Sequence, residues 1–397
     1  MAVENQATPN QPNLILARIV VALAVCVLLS AVVVAYLWLR PAGGAQSSLQ
    51  IVYVAVGTDG NLDLFQADAA GRRITQLTKS HDDELFPAWS PDGKSLAYVR
   101  LPLRFYRGTA STPDAGVFLL TFEGGKSSEQ PLLPASAWGS GQPSWSPDGR
   151  RIAFVNPVMP GREGGAITGT LSLVTVSTRA VETFPITISV GLVDTSVSWS
   201  PDGSAVAFIA PRGVITSAPG RTDVPENLPS AAWIYNLSDR ALSMVAEEAS
   251  LVQWSPAGDW LAYANTENAN GIHLVHPDGT GDRALLDRGY ATDLAWSPDG
   301  SRLAACGWME GEDQVGVAFF SLADGNVAAY PLGAENQIPQ FLAWSLDGAY
   351  VAVSLFTESG GMVPDGSLWI VDAATGAAFA FPDNPGMEAL AVWKPGK

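Results

Sequence analysis

VSWSPDGSAVAFI, residues 197–209, decides the fold because the chain writes it six times: PAWSPDGKSLAYV starts at Pro87, PSWSPDGRRIAFV at Pro143, VQWSPAGDWLAYA at Val252, LAWSPDGSRLAAC at Leu294 and LAWSLDGAYVAVS at Leu342. With Trp393 of LAVWKPGK as a seventh, the tryptophans at 89, 145, 199, 254, 296, 344 and 393 are 56, 54, 55, 42, 48 and 49 residues apart. Periods of that length belong to solenoids and propellers. No segment after residue 50 carries a helical period of apolar residues, so the unit is built of strands.

Each copy reads as strand, turn, strand. In Ser90-Pro91-Asp92-Gly93 the proline presets φ for the second turn position and the glycine takes the left-handed position that follows. The segments behind the turn, such as KSLAYV from Lys94 and SAVAFI from Ser204, are short and rich in β-branched and aromatic residues, as strands are. Two more strands follow, as in LWIVDAA and then GAAFAFP between Leu368 and Pro382, turning at Thr375 and Gly376. Four strands per period make a blade. The tryptophan closes the innermost strand, where its ring is placed to fill the gap between neighbouring blades. The last copy stops halfway, at Trp393, and LQIVYVAV from Leu49 supplies the matching second strand. The reading is an all-β, seven-bladed propeller over residues 49–397, with four-stranded antiparallel blades and one blade closed by the N- and C-terminal strands. Such closure leaves no open sheet edge.

Ahead of the propeller, IVVALAVCVLLSAVVVAYLWL, residues 19–39, is an uncharged run between Arg18 and Arg40, long enough as a helix to cross the ~30 Å hydrocarbon core of a bilayer. It is read as a single transmembrane signal anchor, preceded by a tail over 1–18 and followed by a linker over 40–48. The rival reading is a cleavable secretory signal, with Gly43 and Ala45 near the cleavage point. Flanking charge does not choose the side. The net charge of −17, from 39 acidic and 22 basic residues with no basic run, argues against nucleic acid as a partner. Cys26 and Cys306 stand too far apart in the chain to suggest a disulfide.

W-S-P-D-G followed by a strand resembles the WD40-like repeat of the TolB family, which also occurs in the propeller domains of prolyl oligopeptidase-type peptidases. The resemblance covers about residues 50–397, with departures at Ala257, which replaces the aspartate, and Leu346, which replaces the proline. It implies a β-propeller and, for topology, a short cytoplasmic tail with the propeller on the extracytoplasmic side of the membrane.

The chemistry of a hydrolase domain is missing from the sequence. There is no G-x-S-x-G elbow, since Trp138 spoils the nearest candidate at Ser140, and Gly125-Lys126-Ser127 lacks the first glycine of a phosphate loop because Leu120 stands there. His273 and His276, three apart in a strand, point to opposite faces and do not form a zinc pair, so no metal ligand set is assigned. In a meander the S-P-D-G turns share one face, and the variable loops from Leu101, Asn156, Ala210 and Phe356 share the other. Loops on a rigid scaffold carry function, and Arg104, Phe105, Tyr106 and Arg107 combine the residue types of binding hot spots. A second candidate is a set of acids ahead of the inner strands, Asp83, Asp194, Glu248, Asp293 and Glu388, expected near the channel mouth. They suit a basic peptide or a calcium ion, although the reading needs no cofactor. The functional expectation is a membrane-anchored, non-enzymatic module that binds a protein or peptide. The alternatives are a propeller hydrolase or lyase using those carboxylates, and a structural subunit of an envelope complex.

Overall fold

The computed structural model describes residues 49–101, 116–133, 140–158, 168–189, 197–211, 229–264, 271–309, 315–333, 336–357, 366–381 and 388–396. The tail, the proposed anchor at 19–39 and the linker lie outside them, and among the described residues no helix is long and apolar enough to cross a membrane.

The described strands form seven antiparallel sheets of four. Blade I holds β1 (Gln50–Val56), β2 (Leu62–Asp68) and β3 (Thr75–Gln76). Blade II holds β4 (Asp83–Trp89), β5 (Ser95–Leu101), β6 (Gly116–Glu123) and β7 (Lys126–Pro131), and blade III holds β8 (Ser140–Trp145), β9 (Arg151–Val158), β10 (Thr168–Thr175) and β11 (Val181–Ser189). Blade IV runs through β12 (Ser198–Trp199), β13 (Ala205–Pro211), β14 (Ser230–Asn236) and β15 (Leu242–Glu247), and blade V through β16 (Leu251–Trp254), β17 (Leu261–Ala264), β18 (Ile272–Val275) and β19 (Arg283–Leu286). Blade VI has β20 (Gly289–Trp296), β21 (Arg302–Met309), β22 (Val315–Ser321) and β23 (Val327–Pro331); blade VII has β24 (Gln337–Trp344), β25 (Tyr350–Thr357), β26 (Gly366–Asp372) and β27 (Ala378–Ala380). The last strand, β28 (Glu388–Trp393), becomes the innermost strand of blade I by pairing with β1, Ile51 opposite Trp393 and Val52 opposite Val392. The ring is thus closed within one blade by the two ends of the domain.

The second strand of each blade is apolar almost throughout because both of its faces are covered. In β13 the residues alternate by the period of two: Val206, Phe208 and Ala210 pack towards blade III with Val155 and Leu171, while Ala205 and Ala207 pack towards blade V with Val252 and Leu261. In β1, Ile51, Tyr53 and Ala55 face blade VII, and Val52 and Val54 face blade II. The core is therefore seven inter-blade layers rather than one centre.

The turns hold by a repeated set of bonds. Ser200 Oγ donates to Asp202 Oδ1 at 2.6 Å and accepts from the Ala205 amide at 2.9 Å, Asp202 Oδ1 accepts from the Ser204 amide at 3.0 Å, and Gly203 sits at φ 70°. Both departing copies keep the turn. In VQWSPAGDW, Ser255 Oγ donates instead to Asp259 at 2.9 Å, so an aspartate two positions later does the work of the missing one. In LAWSLDG, Leu346 leaves the bond from Ser345 to Asp347 intact at 2.6 Å and simply exposes its own side chain.

Candidate functional site

The innermost strands of all seven blades surround a central cavity of about 610 Å³ that reaches the prolines of the S-P-D-G turns. Trp89, Trp145, Trp199, Trp254, Trp296 and Trp393 stand around it with Pro91, Pro147 and Pro395 at the rim, and Gln142, Ser144, Ser198, Gln253, Thr292 and Gln340 give the wall its polar groups.

The tryptophans clasp one blade to the next. Trp145 Nε1 donates to the Ala88 carbonyl at 3.0 Å, Trp199 to Ser144 at 3.0 Å, Trp296 to Gln253 at 3.2 Å, Trp344 to Ala295 at 2.9 Å and Trp393 to Ala343 at 2.9 Å. In each case the acceptor is the residue just before the tryptophan of the preceding blade. Two copies break the pattern. Trp254 Nε1 turns back to Gly258 of its own turn at 3.3 Å, in the copy that lacks the usual aspartate, and the buried Trp89 Nε1 has no acceptor at the closing seam. Cations cover several of the rings: Arg151 over Trp199 at 5.1 Å, Arg302 over Trp344 at 4.8 Å and Lys394 over Trp89 at 5.1 Å. Arg151 and Arg302 also reach the next turn, donating to the carbonyls of Gly203 at 3.0 Å and Gly348 at 2.6 Å. Trp89, Trp199, Trp344 and Trp393 are buried, while Trp145, Trp254 and Trp296 are half-buried. Cations thus cover three of the rings, and six of the seven indole N–H groups are engaged.

Bulges interrupt the inner strands of three neighbouring blades. Phe86 in β4, Phe341 in β24 and Leu390 in β28 take left-handed φ values of 54°, 56° and 54°, which bulky residues rarely adopt. The Phe86 and Phe341 rings come within 6.4 Å of each other, and both pack on the cluster that contains the buried Leu390. Holding three such residues costs of order 1–3 kcal/mol each, and bulges of this kind re-aim side chains beside functional sites.

Of the acids expected at the channel mouth, Asp293 lines the cavity. Its Oδ1 accepts from the Leu294 amide at 2.8 Å and its Oδ2 from the Leu342 amide of blade VII at 2.7 Å, so it ties two inner strands together. Asp83 is buried between blades I and II, where its Oδ1 accepts from the Leu62 amide at 2.9 Å and burial raises its carboxyl above the ordinary value. Asp83 is not among the residues that line the cavity and ties β4 to β2 instead. Glu248 is exposed at φ 52° on the connection from β15 to β16, and Glu388 opens β28 opposite Ala55. Asp194 lies outside the described residues, as do Arg104, Phe105, Tyr106 and Arg107. Among the described residues no group of three or more His, Cys, Asp or Glu is placed to hold a metal ion.

Beside Asp83 the structure assembles a polar network around Glu84, which the sequence groups with Asp82 and Asp83 among the acids ahead of Trp89 and which the fold buries in the seam. Glu84 is completely buried; its Oε1 accepts from Arg100 Nε at 3.0 Å and its Oε2 from Thr78 Oγ1 at 3.0 Å. Arg100 continues to Glu129 at 2.8 Å, lies 4.0 Å over the Phe118 ring and meets the Tyr98 hydroxyl, which donates to Glu129. Asp63, also completely buried, touches Glu84 from blade I. The available signal was a charge inside an apolar strand: Glu84 in DELFPAW and Arg100 in SLAYVRL.

No family model matches the chain. Among curated proteins it is similar to the Tol-Pal system protein TolB of Alcanivorax borkumensis, 32% identical over 109 residues, which are 27% of this chain and 23% of that protein. It is also similar to TolB of Hahella chejuensis, 47% identical over 55 residues, 13% of each chain. These matches span about a quarter or less of the relatives' length. Among solved structures, TolB from Acinetobacter baumannii superposes with a TM-score of 0.53 at 20% identity, over 88% of this chain and 68% of that one. A puromycin-hydrolysing peptidase from Mycobacterium tuberculosis gives 0.57 at 16% identity, over 86% and 54%. An oligogalacturonate lyase from Vibrio parahaemolyticus gives 0.52 at 13%, over 84% of each. The chain is a TolB-like β-propeller in fold, and that fold is shared by proteins with and without catalytic names.

Proposed function

We propose that the protein is a non-enzymatic module that binds a protein or peptide partner, and that the partner contacts the cavity ringed by tryptophans. The observation that carries this reading is the chemistry of the cavity wall. It consists of tryptophan rings, prolines, amides, hydroxyls and aliphatic side chains from seven strands, with one carboxylate, Asp293, whose two oxygens already accept backbone N–H groups. Acid–base catalysis asks for a group free to exchange a proton, usually with a second one converging on it, and the described wall offers neither. An extended peptide needs hydrogen-bonding groups beside apolar surface, and this wall supplies both. The partial similarity to Tol-Pal system proteins points the same way.

Residues 19–39 are proposed to anchor the chain in a membrane with the propeller on the extracytoplasmic side, a reading supported by the length and apolarity of that segment and by the TolB resemblance. The loop bearing Arg104, Phe105, Tyr106 and Arg107 is proposed as a second contact on the opposite face. The test is capture from solubilised membranes with the full chain, with Gln253→Trp, which places a bulky indole on the cavity wall, and with residues 102–115 deleted. Gln253→Trp is expected to abolish capture. Capture lost only with the loop deletion moves the contact to the other face, and capture unchanged in both variants refutes the reading.

A further inference from the structure

We propose that the seam between blades I and II is a proton-gated clasp, in which Asp63 carries a proton that it donates to Glu84 and whose loss loosens the ring at this seam. Two completely buried carboxyl groups meet here, Asp63 from β2 and Glu84 from β4. Both oxygens of Glu84 accept hydrogen bonds, one of them from Arg100, which marks Glu84 as the ionised member. Asp63 receives one bond, from Gln76 Nε2 to Oδ2 at 2.8 Å, while its buried Oδ1 faces no N–H or O–H donor. An acceptor oxygen set against another acceptor in a dry site is unfavourable unless something positive lies between them.

A proton fits that requirement and a metal ion does not. Gly57 closes over Oδ2 so tightly that a Cβ there would stand 2.0 Å from it, and among the described residues no group of three or more His, Cys, Asp or Glu is placed to hold a metal ion. The charged groups around the pair agree. Asp59 on the β1–β2 loop and Asp82 and Asp83 beside Glu84 are all acidic, while Arg100 of β5 is shared between Glu84 and Glu129 of β7, with the Tyr98 hydroxyl between. Burial, then the contact with Glu84, then the Asp59 charge push the Asp63 carboxyl up to about 8.

The chemistry is a simple ionisation: the Asp63 O–H breaks, its proton goes to water, and two like charges are left facing each other. A raised carboxyl stabilises the folded state fully below its ordinary value of 3.8, and that stabilisation is lost as the pH rises through about 8. Because Glu84 lies two residues before Phe86 on the strand that also gives Ala88 and Trp89 to the channel wall, opening the clasp releases one side of the cavity.

The test compares the full chain with Asp63→Asn, whose amide keeps a permanent donor towards Glu84. Between pH 6.5 and 9 the melting temperature of the parent is expected to fall by several degrees more than that of the variant. Hydrogen exchange in residues 62–68 and 83–89, corrected for its intrinsic pH dependence, should rise over the same interval in the parent alone. Should the variant not fold, infrared spectroscopy of the parent provides the readout: the carbonyl band of a buried protonated carboxylic acid should be present at pH 6.5 and bleach by pH 9.5. Parallel melting curves, or no such titrating band, overturn the proposal. Calcium restoring the parent at pH 9, but not Asp63→Asn, overturns it in favour of a bound cation.

Discussion

Replacing Trp199 by alanine tests the clasp between blades where it is most complete. The ring is 8% exposed, its N–H holds the Ser144 carbonyl of blade III at 3.0 Å, and Arg151 rests over its face while bonding the Gly203 carbonyl. Truncating a buried tryptophan costs about 3–5 kcal/mol. That cost includes orphaning the Ser144 carbonyl, about 1 kcal/mol, and losing the cation contact, about 0.5–1 kcal/mol, so the upper half of that range is expected. Trp254→Ala is the internal control. Its ring is half-buried and its N–H bonds within its own turn, so it should cost at least about 1 kcal/mol less. Urea unfolding followed by far-ultraviolet circular dichroism, which the loss of one indole scarcely alters, gives both values. Equal losses for the two variants, or a loss below about 1 kcal/mol for Trp199→Ala, would refute the inter-blade account.

Three further outcomes follow from the same structure. Deleting residues 390–397 removes the buried Leu390 and Trp393 and the closing rungs to Ile51 and Val52, so the whole domain should melt far lower than after loss of an ordinary tail; an unchanged melt contradicts terminal closure. Gly93 sits at φ 65° with the Pro395 carbonyl 2.8 Å from where a Cβ would be, whereas Gly60, at φ 86°, has open space. Gly60→Ala should therefore cost only the left-handed penalty of about 1–2 kcal/mol and Gly93→Ala clearly more, as read by differential scanning fluorimetry. The Ser297 hydroxyl and the Ser301 amide hold the Asp299 carboxyl down at about 2, below the ordinary 3.8. A depressed carboxyl stabilises above its ordinary value and loses that contribution as the pH falls towards 2, so melting curves of the parent and Asp299→Asn should converge over that interval.

The architecture was legible because its signals are local. Each S-P-D-G carries its own turn chemistry within six residues, and the tryptophan before it repeats at a blade's length. The rescue of the Ala257 copy was not legible, since Asp259 stands beyond the glycine and reaches Ser255 only once the turn has formed. The site was less visible still. Asp83 and Asp293 look alike as acids ahead of a tryptophan, yet one is buried in a seam and the other ties two strands at the channel. The difference lies in the partner each meets, Leu62 or Leu342, and both are tertiary neighbours. Asp63, Thr78, Glu84, Arg100 and Glu129 are scattered over five segments and converge only when two blades pack. The left-handed bulges at Phe86, Phe341 and Leu390 carry no glycine to announce them, so they leave no mark in the sequence.

The central claim is that a partner protein occupies the tryptophan-ringed end of the channel. Its most direct test is site-specific photocrosslinking of the full chain in native membranes, with the probe at Gln253 in the cavity wall or at the exposed Val181 on the outer strand of blade III. The account predicts one discrete crosslinked protein from position 253 and none from 181. Equal capture from both positions, or none from 253 while the loop bearing Phe105 yields a partner, would contradict it.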